Sequence, residues 1–367
     1  RQMCIRDRGQ KPPTLMPTNC FVLRTTTILP NIRISWDYHP TFRLLYLLLY
    51  AGYCSFFNRR TIFLAILTTF CYVNHENTEI TRCLMPIRGY IIEKYNTMTN
   101  AYTCNRLVQE ASALDMDLQI VGIHDTTVSM QGVINHGKIL EPVDFVINRY
   151  KWGREKDAIN ALATRSYNPL TAYNIYINKF EQVRRLHSEA FLIPKYLLGT
   201  SLLPFSFIVE QLGLPFVGKG LESSMGEEIV CIRDKASYEE LSLNYPSSKE
   251  WLFEEFISES YGRDLRFYSI RGEAVACMQR RSQGDFRANV ALGASVEPYP
   301  VTSHIRTIAA DIYEQTGLDF LGIDLLFGRE KPYFCEINVM PGLEGIEKAS
   351  GINVAAKVLE TIRSDFA

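Results

Sequence analysis

The chain has 367 residues, 47% of them hydrophobic and 22% charged, with a formal net charge of -1. This is the composition of a folded protein with room for two or three domains. The balance hides a split: residues 1–84 carry ten Lys and Arg against four acidic side chains, or +6, leaving 29 against 36, or -7, for the rest. A body that acidic lacks the clustered cations on which nucleic-acid binding leans, so nucleic acid is excluded as a partner.

The opening "RQMCIRDRGQ" has no initiator Met, and "MCIRD" reads as the translation of a transposase sequencing adapter. Residues 1–84 are therefore expected to be a non-native extension, with Met85 as the native start. The apolar stretches 44–57 and 62–73, separated by "NRR", are each shorter than the roughly 18 to 20 residues that span a bilayer. Their flanks lack a secretory signal pattern. The expectation is no membrane partner, with a two-segment anchor as the alternative. Five of the nine cysteines precede Met85, and Cys104, Cys231, Cys277 and Cys335 are scattered without C-x-x-C spacing. Free thiols in a reducing, cytoplasmic compartment follow from that pattern.

From Met85 onward, "RGYIIEKYN" predicts a strand, "TNAYTCNRLVQEASAL" a helix capped by Thr99 or Asn100, and "DLQIVGIHD" a second strand. "VDFVINRYKWG" predicts another strand and "REKDAINALATRSY" another helix, completing a small open α/β domain. No G-x-G-x-x-G follows the first strand, which argues against a dinucleotide site. "NPLTAYNIYINKFEQVRRL" reads as one helix, "EWLFEEFISES" as a strand, and the residues about "RGE" as a strand pair. The C-terminal "NVAAKVLETIRS" places Ala355, Val358, Leu359 and Ile362 on one helical stripe behind the N-cap Asn353.

The hairpin "DFLGIDLLFGREKPYFCEIN" carries the most chemistry. In "CEIN", Glu336 and Asn338 are two residues apart and share a strand face. A turn at Arg329, Glu330 and Lys331 puts Asp324 opposite Glu336, so that three oxygen donors converge. Such a set suits a magnesium ion arriving with phosphate oxygens; the alternative is a hairpin showing its polar face to solvent. Lys219 ends an apolar strand before the Gly- and Ser-containing "GLESSMG", a position from which an ammonium and backbone N–H groups reach polyphosphate. Lys179 falls in a helical run, where a lysine is ordinarily a solvated surface residue. Arg280, Arg281 and Arg287 gather about "GDF", either to stabilise phosphoryl charge or to pair with Asp285.

From Met85 to the end the chain resembles the RimK family of ATP-grasp ligases. The resemblance rests on ordered motifs: "NPLTAYNIYINK", "LPFVGKGLESSMG", "LFEEFISESYGRDLR", "RRSQGDFRAN", "GIDLL" and "EINVMPGLEGIEKASGINVAAK". The last is similar to the glutamate-adding branch. The resemblance implies an α/β fold of the α+β ATP-grasp kind, with a pre-ATP-grasp α/β domain at 85–170, a central subdomain at 171–250 and a C-terminal subdomain at 251–367. The nucleotide would lie between the two subdomains. By the same resemblance Lys179 and Lys219 contact the nucleotide phosphates, while Glu254, Glu255, Phe256 and Ile257 hold adenine and ribose. Asp264, Arg287 and Asn289 complete the nucleotide side, Arg287 and Arg266 act in catalysis, and Asp324, Glu336 and Asn338 ligate magnesium, or manganese in its place.

The implied activity is ATP- and magnesium-dependent ligation of an amino acid, L-glutamate, to an acceptor carboxylate through an acyl phosphate. The acceptor would be a protein C-terminus or a small molecule, and the enzyme a homo-oligomer. No protein nucleophile is needed, which agrees with the lack of a Ser-His-Asp or Cys-His pattern. Two departures stand out: Glu227 and Glu228 occupy the phosphate-covering loop, and "VALGAS" lacks the basic residues usual after "FRAN". They keep open a ligase for another amino acid and a small-metabolite or carrier acceptor, and a nucleotide-binding protein that has lost turnover.

Overall fold

Four short runs form strands: β1 (Arg88–Glu93) and β6 (Val143–Asn148), apolar and buried along nearly their whole length, flanked by the partly exposed β2 (Asp117–Gly122) and β7 (Ala163–Tyr167). They form a parallel sheet in the order β2-β1-β6-β7. Between β2 and β6 the chain inserts a small antiparallel sheet of β3 (Thr126–Ser129), β4 (Gly132–Asn135) and β5 (Lys138–Ile139). The computed structural model describes residues 86–96, 101–223, 228–290 and 293–366. Two units separate, Arg1–Met85 and Pro86–Ala367, and the second is the one described. The expected non-native extension, the Met85 start, the Thr99 or Asn100 cap and Glu227 all lie outside the described residues.

Side-chain alternation along β1 sends neighbouring residues to opposite faces. Ile91 packs with Cys104 and Leu107 of α1 (Ala101–Ala113), whereas Tyr90 and Ile92 pack with Ile159 of α2 (Arg154–Asn160). The run "REKDAINALATRSY" is thus not one helix. Helix α2 stops at Asn160, whose amide bonds Asn148 and the Lys156 carbonyl, and "ATRSY" is recruited as β7. Pairing with β6 overrides the helical propensity of the alanines.

"NPLTAYNIYINKFEQVRRL" also divides, into α3 (Leu170–Tyr176) and α4 (Lys179–Arg185). The Asn178 side chain accepts from the N–H groups of Phe180 and Glu181, so it starts a new helix inside the run. The second sheet follows as β8 (Tyr196–Thr200), β9 (Phe216–Gly220), β10 (Ile229–Ile232) and β11 (Glu250–Glu255), antiparallel in the order β10-β9-β11-β8. Helices α5 (Phe205–Leu212) and α6 (Lys235–Asn244) cover it over Ile208, Phe216, Tyr238 and Trp251. Because β11 pairs with β8 and β9, the expected boundary between 250 and 251 cuts a strand, and the second sheet runs to Glu255.

The third sheet is antiparallel in the order β14-β13-β12-β15-β16, from β12 (Arg263–Ile270), β13 (Glu273–Arg281), β14 (Ser295–Pro298), β15 (Phe320–Leu326) and β16 (Tyr333–Asn338). Helices α7 (Ser303–Thr316) and α8 (Glu344–Ser350) pack on it, and α9 (Val354–Ser364) packs against α1. In α9 the stripe Ala355, Val358, Leu359 and Ile362 is buried, and Asn353 caps the helix through the Ala356 N–H. Among the described residues, no helix is long and apolar enough to cross a membrane.

The first and third sheets meet through Asn168, only 2% exposed. Its amide donates to the carbonyls of Phe320 and Val339 and accepts from the Phe320 N–H at 2.7 Å. Asn168→Ala strands these buried backbone groups, at about 1–3 kcal/mol for each group left unpaired. The expected outcome is a lower midpoint in urea unfolding with an unchanged slope, equivalent to a loss of about 3 kcal/mol.

Candidate active site

One face of the third sheet carries opposite charges in register. Arg280 on β13 faces Asp264 on β12, and Arg266 on β12 faces Asp324 on β15, which in turn faces Glu336 on β16. The guanidinium of Arg280 donates to both oxygens of Asp264 at 2.6 Å and to Asp324 at 2.9 Å. Arg266 grips both oxygens of Asp324 at 2.6 and 2.5 Å, and its Nη2 lies 4.0 Å from Glu336. Asp324 is 1% exposed and Arg280 2%. Desolvation opposes the Asp324 charge, yet Arg266 and Arg280 hold its carboxyl below the usual carboxylate range.

The expected opposition of Asp324 and Glu336 is present, through a different loop. Strand pairing ends at Leu326 and Tyr333, so the connection is 327–332, and a one-residue bulge at Cys335 restores the register. The bulge turns the Cys335 carbonyl toward the Lys219 ammonium at 3.4 Å. Desolvation pushes the Cys335 thiol up to about 12, so it stays neutral beside that cation.

Two buried ammonium groups reach this face from other elements. Lys179 is the first residue of α4 rather than a solvated side chain, and is 6% exposed. Its Nζ bonds the Ser223 carbonyl at 2.6 Å and lies 3.4 Å from Glu336 Oε2. Lys219, also 6% exposed, extends from β9 to Glu254 Oε2 at 2.6 Å. Desolvation opposes its charge, but the carboxylates of Glu254 and Glu336 favour it, and the pKa lies above the ordinary lysine value. Glu336 is likewise penalised by desolvation, and Lys179, with Arg266 and Lys219, holds its carboxyl below the ordinary range.

The remaining expected residues lie on two sides of this centre. Glu254 is buried on β11, and its Oε1 has no hydrogen-bond partner among the described residues, an acceptor position suited to a ligand donor. Glu255 is occupied by the Lys195 N–H, Ile257 is buried, and the Phe256 ring meets those of Tyr261 and Phe286. Asp264 is spent on Arg280. The expected arginine cluster disperses: Arg280 is internal, Arg281 pairs with Glu297, and Arg287 chelates Asp285 beside the half-buried Asn289. Glu228 turns to Lys249 at 2.5 Å, which neutralises it.

Magnesium fits the donors on β16. Glu336 and Asn338 are half-buried neighbours, with Asn338 Nδ2 3.4 Å from Glu336 Oε1, whereas both Asp324 oxygens are held by arginines. Among the described residues no three His, Cys, Asp or Glu side chains form a metal cage. Sequence reasoning missed Gln182. It is 3% exposed, donates to the carbonyls of Tyr176 and Ile337, and accepts from the Ile337 N–H at 2.9 Å. It thereby fixes the strand segment between Glu336 and Asn338. Its only sequence signal is a glutamine three residues after Lys179 in a short helix.

A family model described as a RimK-like ATP-grasp domain matches residues 177–362. A probable alpha-L-glutamate ligase of Thioalkalivibrio sulfidiphilus is 36% identical over 160 residues, 43% of this chain and 53% of that protein. One from Aeromonas salmonicida is 29% identical over 277 residues, 71% of this chain and 91% of the relative. The structure of the ATP-grasp ligase PsnB complexed with a phosphomimetic variant of its minimal precursor, Mg and ADP superposes with a TM-score of 0.57 at 14% identity. That match covers 77% of this chain and all of PsnB. With half of its length matched by the family model and its fold shared with a solved ligase of that kind, the chain belongs to the RimK-like ATP-grasp family.

Proposed function

We propose that this protein is an ATP- and magnesium-dependent carboxylate-amine ligase that joins L-glutamate to an acceptor carboxylate, a protein C-terminus or a small molecule. The observation that carries the reading is the meeting of Lys179 and Lys219, from two different elements, over Glu336. Two buried ammonium groups facing carboxylates form a site in which phosphate can exchange for carboxylate as the anion, a use of positioned charge that suits phosphoryl transfer. The names of the relatives support glutamate as the amino acid. Free thiols at Cys104, Cys231, Cys277 and Cys335 support a cytoplasmic setting.

In this reading the acceptor carboxylate attacks the γ-phosphorus, the bond to the ADP oxygen breaks, and an acyl phosphate forms. The amine of glutamate then attacks the carbonyl carbon, phosphate leaves with the electron pair of the C–O bond, and the amine releases a proton to solvent. Lys179 and Lys219 neutralise phosphate charge, and Glu254 Oε1 offers an acceptor on the nucleotide side. Glu336 and Asn338 would hold magnesium, which contributes neutralisation of the transferring phosphoryl group. Arg266 acts through Asp324 and Glu336, holding them in place, and Arg287, paired with Asp285 here, would exchange that carboxylate for phosphate charge on the nucleotide side. Neutralisation of Glu228 by Lys249 favours a working site over a binding protein without turnover.

ADP release from the full chain, assayed with L-glutamate and a panel of carboxylate acceptors, is expected to depend on both. Release that never responds to an acceptor overturns the reading. In Asn338→Leu, which removes an oxygen donor at similar bulk, kcat/KM is expected to fall about 100-fold or more while unfolding shifts by less than about 1 kcal/mol. Asp324→Asn is different in kind: it removes the bidentate counter-charge of the part-buried Arg266 and leaves the buried Arg280 with Asp264 alone, and is expected to cost about 3–5 kcal/mol at neutral pH. Because Asp324 and Glu336 are depressed in the folded state, their stabilisation is present above the ordinary carboxylate range and lost as pH falls through their folded values. The difference in stability between wild type and Asp324→Asn should therefore persist from pH 7 to about pH 4 and shrink only as pH falls further, through the folded value.

A further inference from the structure

A cleft of about 440 Å³ opens beyond the carboxyl ends of the parallel strands, between Trp152 and Lys156 on one side, Asn174 on α3, and Glu222. Its place follows from the topology. The chain runs from β1 outward to β2, then returns past β1 to β6, with α1 and α2 on opposite faces, so the winding reverses between β1 and β6. Ligands of open α/β sheets settle at such reversals. Residues 149–157 leave the end of β6 at this point.

The walls are cationic. Lys156 is 3% exposed, and its ammonium is bonded to two neutral oxygens, the Lys151 carbonyl at 2.9 Å and Asn174 Oδ1 at 2.8 Å, above the Tyr173 ring. Its ammonium has neutral oxygens rather than a carboxylate as hydrogen-bond partners, and burial lowers its pKa against the pull of Asp157, so an anion arriving in the cleft would stabilise its charge. Arg154 is exposed and makes no ion pair among the described residues. Lys151 lies 5.5 Å from the centre of the Trp152 ring, which is half exposed. Asp157 and Glu222 are the acidic side chains of the lining.

Glu222 shows what the cleft accepts. Its carboxylate takes the indole N–H of Trp152 at 2.9 Å, and its carbonyl takes the Lys151 ammonium. The protein thus already seats one carboxylate there. The next residue, Ser223, gives its carbonyl to Lys179, and the Lys179 N–H bonds the Leu221 carbonyl at 2.8 Å. The cleft therefore adjoins the phosphate-side lysine, where a carboxylate awaiting phosphorylation has to lie.

We propose that this cleft binds the acceptor, that the acceptor carries more than one carboxylate, and that Glu222 fills one of its anion positions until the acceptor displaces it. The assignment of this anion as the acceptor rests on the ligase reading. Displacement frees the indole N–H of Trp152 for the incoming carboxylate and leaves 221–223 held through Lys179, so acceptor occupancy is communicated to the phosphate side. Arg154 sets the preference for a second negative charge.

Calorimetric titration of the full chain without ATP, using triglutamate as a carboxylate-rich probe and triglutamine as its less charged counterpart, tests the cleft directly. Triglutamate is expected to bind at least about tenfold more tightly than triglutamine, and Arg154→Ala to remove most of that preference. Glu222→Gln, which deletes the competing charge, is expected to tighten triglutamate several-fold, an effect that a merely structural Glu222 would not produce. A Lys151→Ala, Arg154→Ala double variant should weaken it further; if that protein does not fold, the two single substitutions decide. Undetectable triglutamate binding, equal binding of the two peptides, or weaker binding by Glu222→Gln overturns the proposal. Charge-selective binding without acceptor-dependent ADP release overturns the ligase reading and leaves an anion-binding cleft. ADP release driven by triglutamate with an unchanged KM in Arg154→Ala overturns the cleft and leaves the ligase.

Discussion

Arg280 between Asp264 and Asp324 is the interaction on which the site depends. Its guanidinium is 2% exposed, and with Arg266 it joins β12, β13 and β15 through bidentate contacts that tolerate little displacement. Buried ion pairs of this kind seldom add net stability over an apolar alternative of the same shape. Their value here is geometric, because a slip of one residue between β12 and β15 would turn Asp324 to the apolar side among Phe267 and Ile323. The same face becomes apolar further along, where Tyr268, Ile270 and Phe320 pack under the first sheet. The charged half is thus anchored by a hydrophobic half of the same strands.

From this anchor the charges continue across elements. Asp264, Asp324, Glu336 and Glu254 face Arg280, Arg266, Lys179 and Lys219, four carboxylates against four cations. An array that is internally neutral can stay dry before a ligand arrives. A polyphosphate that draws the lysines away from Glu336 and Glu254 would leave those carboxylates in need of a cation, which gives a physical reason for nucleotide and divalent metal to bind together. Lys179 comes from a helix and Lys219 from the second sheet, so closing the array requires both supports at once.

Much of this was legible in the sequence where spacing alone sets geometry. The strand period placed Glu336 and Asn338 together, and the hairpin brought Asp324 opposite even though a bulge at Cys335, invisible beforehand, replaced the expected short loop. Apolar residues three and four apart likewise marked the C-terminal helix. What failed depended on contacts distant in sequence. Lys179 looked like a surface lysine because Asn178 interrupts an apparently continuous helix with its own cap. "ATRSY" looked helical because only β6 makes it a strand. Arg280, Arg281 and Arg287 looked like one cluster, but alternation along β13 sends the first two to opposite sides and the turn removes the third. Gln182 showed nothing locally beyond its place three residues after Lys179, since its partner strand lies 155 residues away.

Strand β16 ends the third sheet, and its outer edge would ordinarily present free backbone groups. Gln182 takes both polar groups of Ile337, and Leu192 takes the Phe334 N–H and donates to the Pro332 carbonyl. The edge nearest the reacting atoms is therefore closed to a visiting strand. A peptide acceptor cannot enter by extending this sheet, a mode whose affinity comes from main-chain pairing and is largely indifferent to sequence. On the proposed ligase reading, selection of a peptide acceptor at this edge is left to end groups and side chains, because extended segments gain no main-chain pairing there.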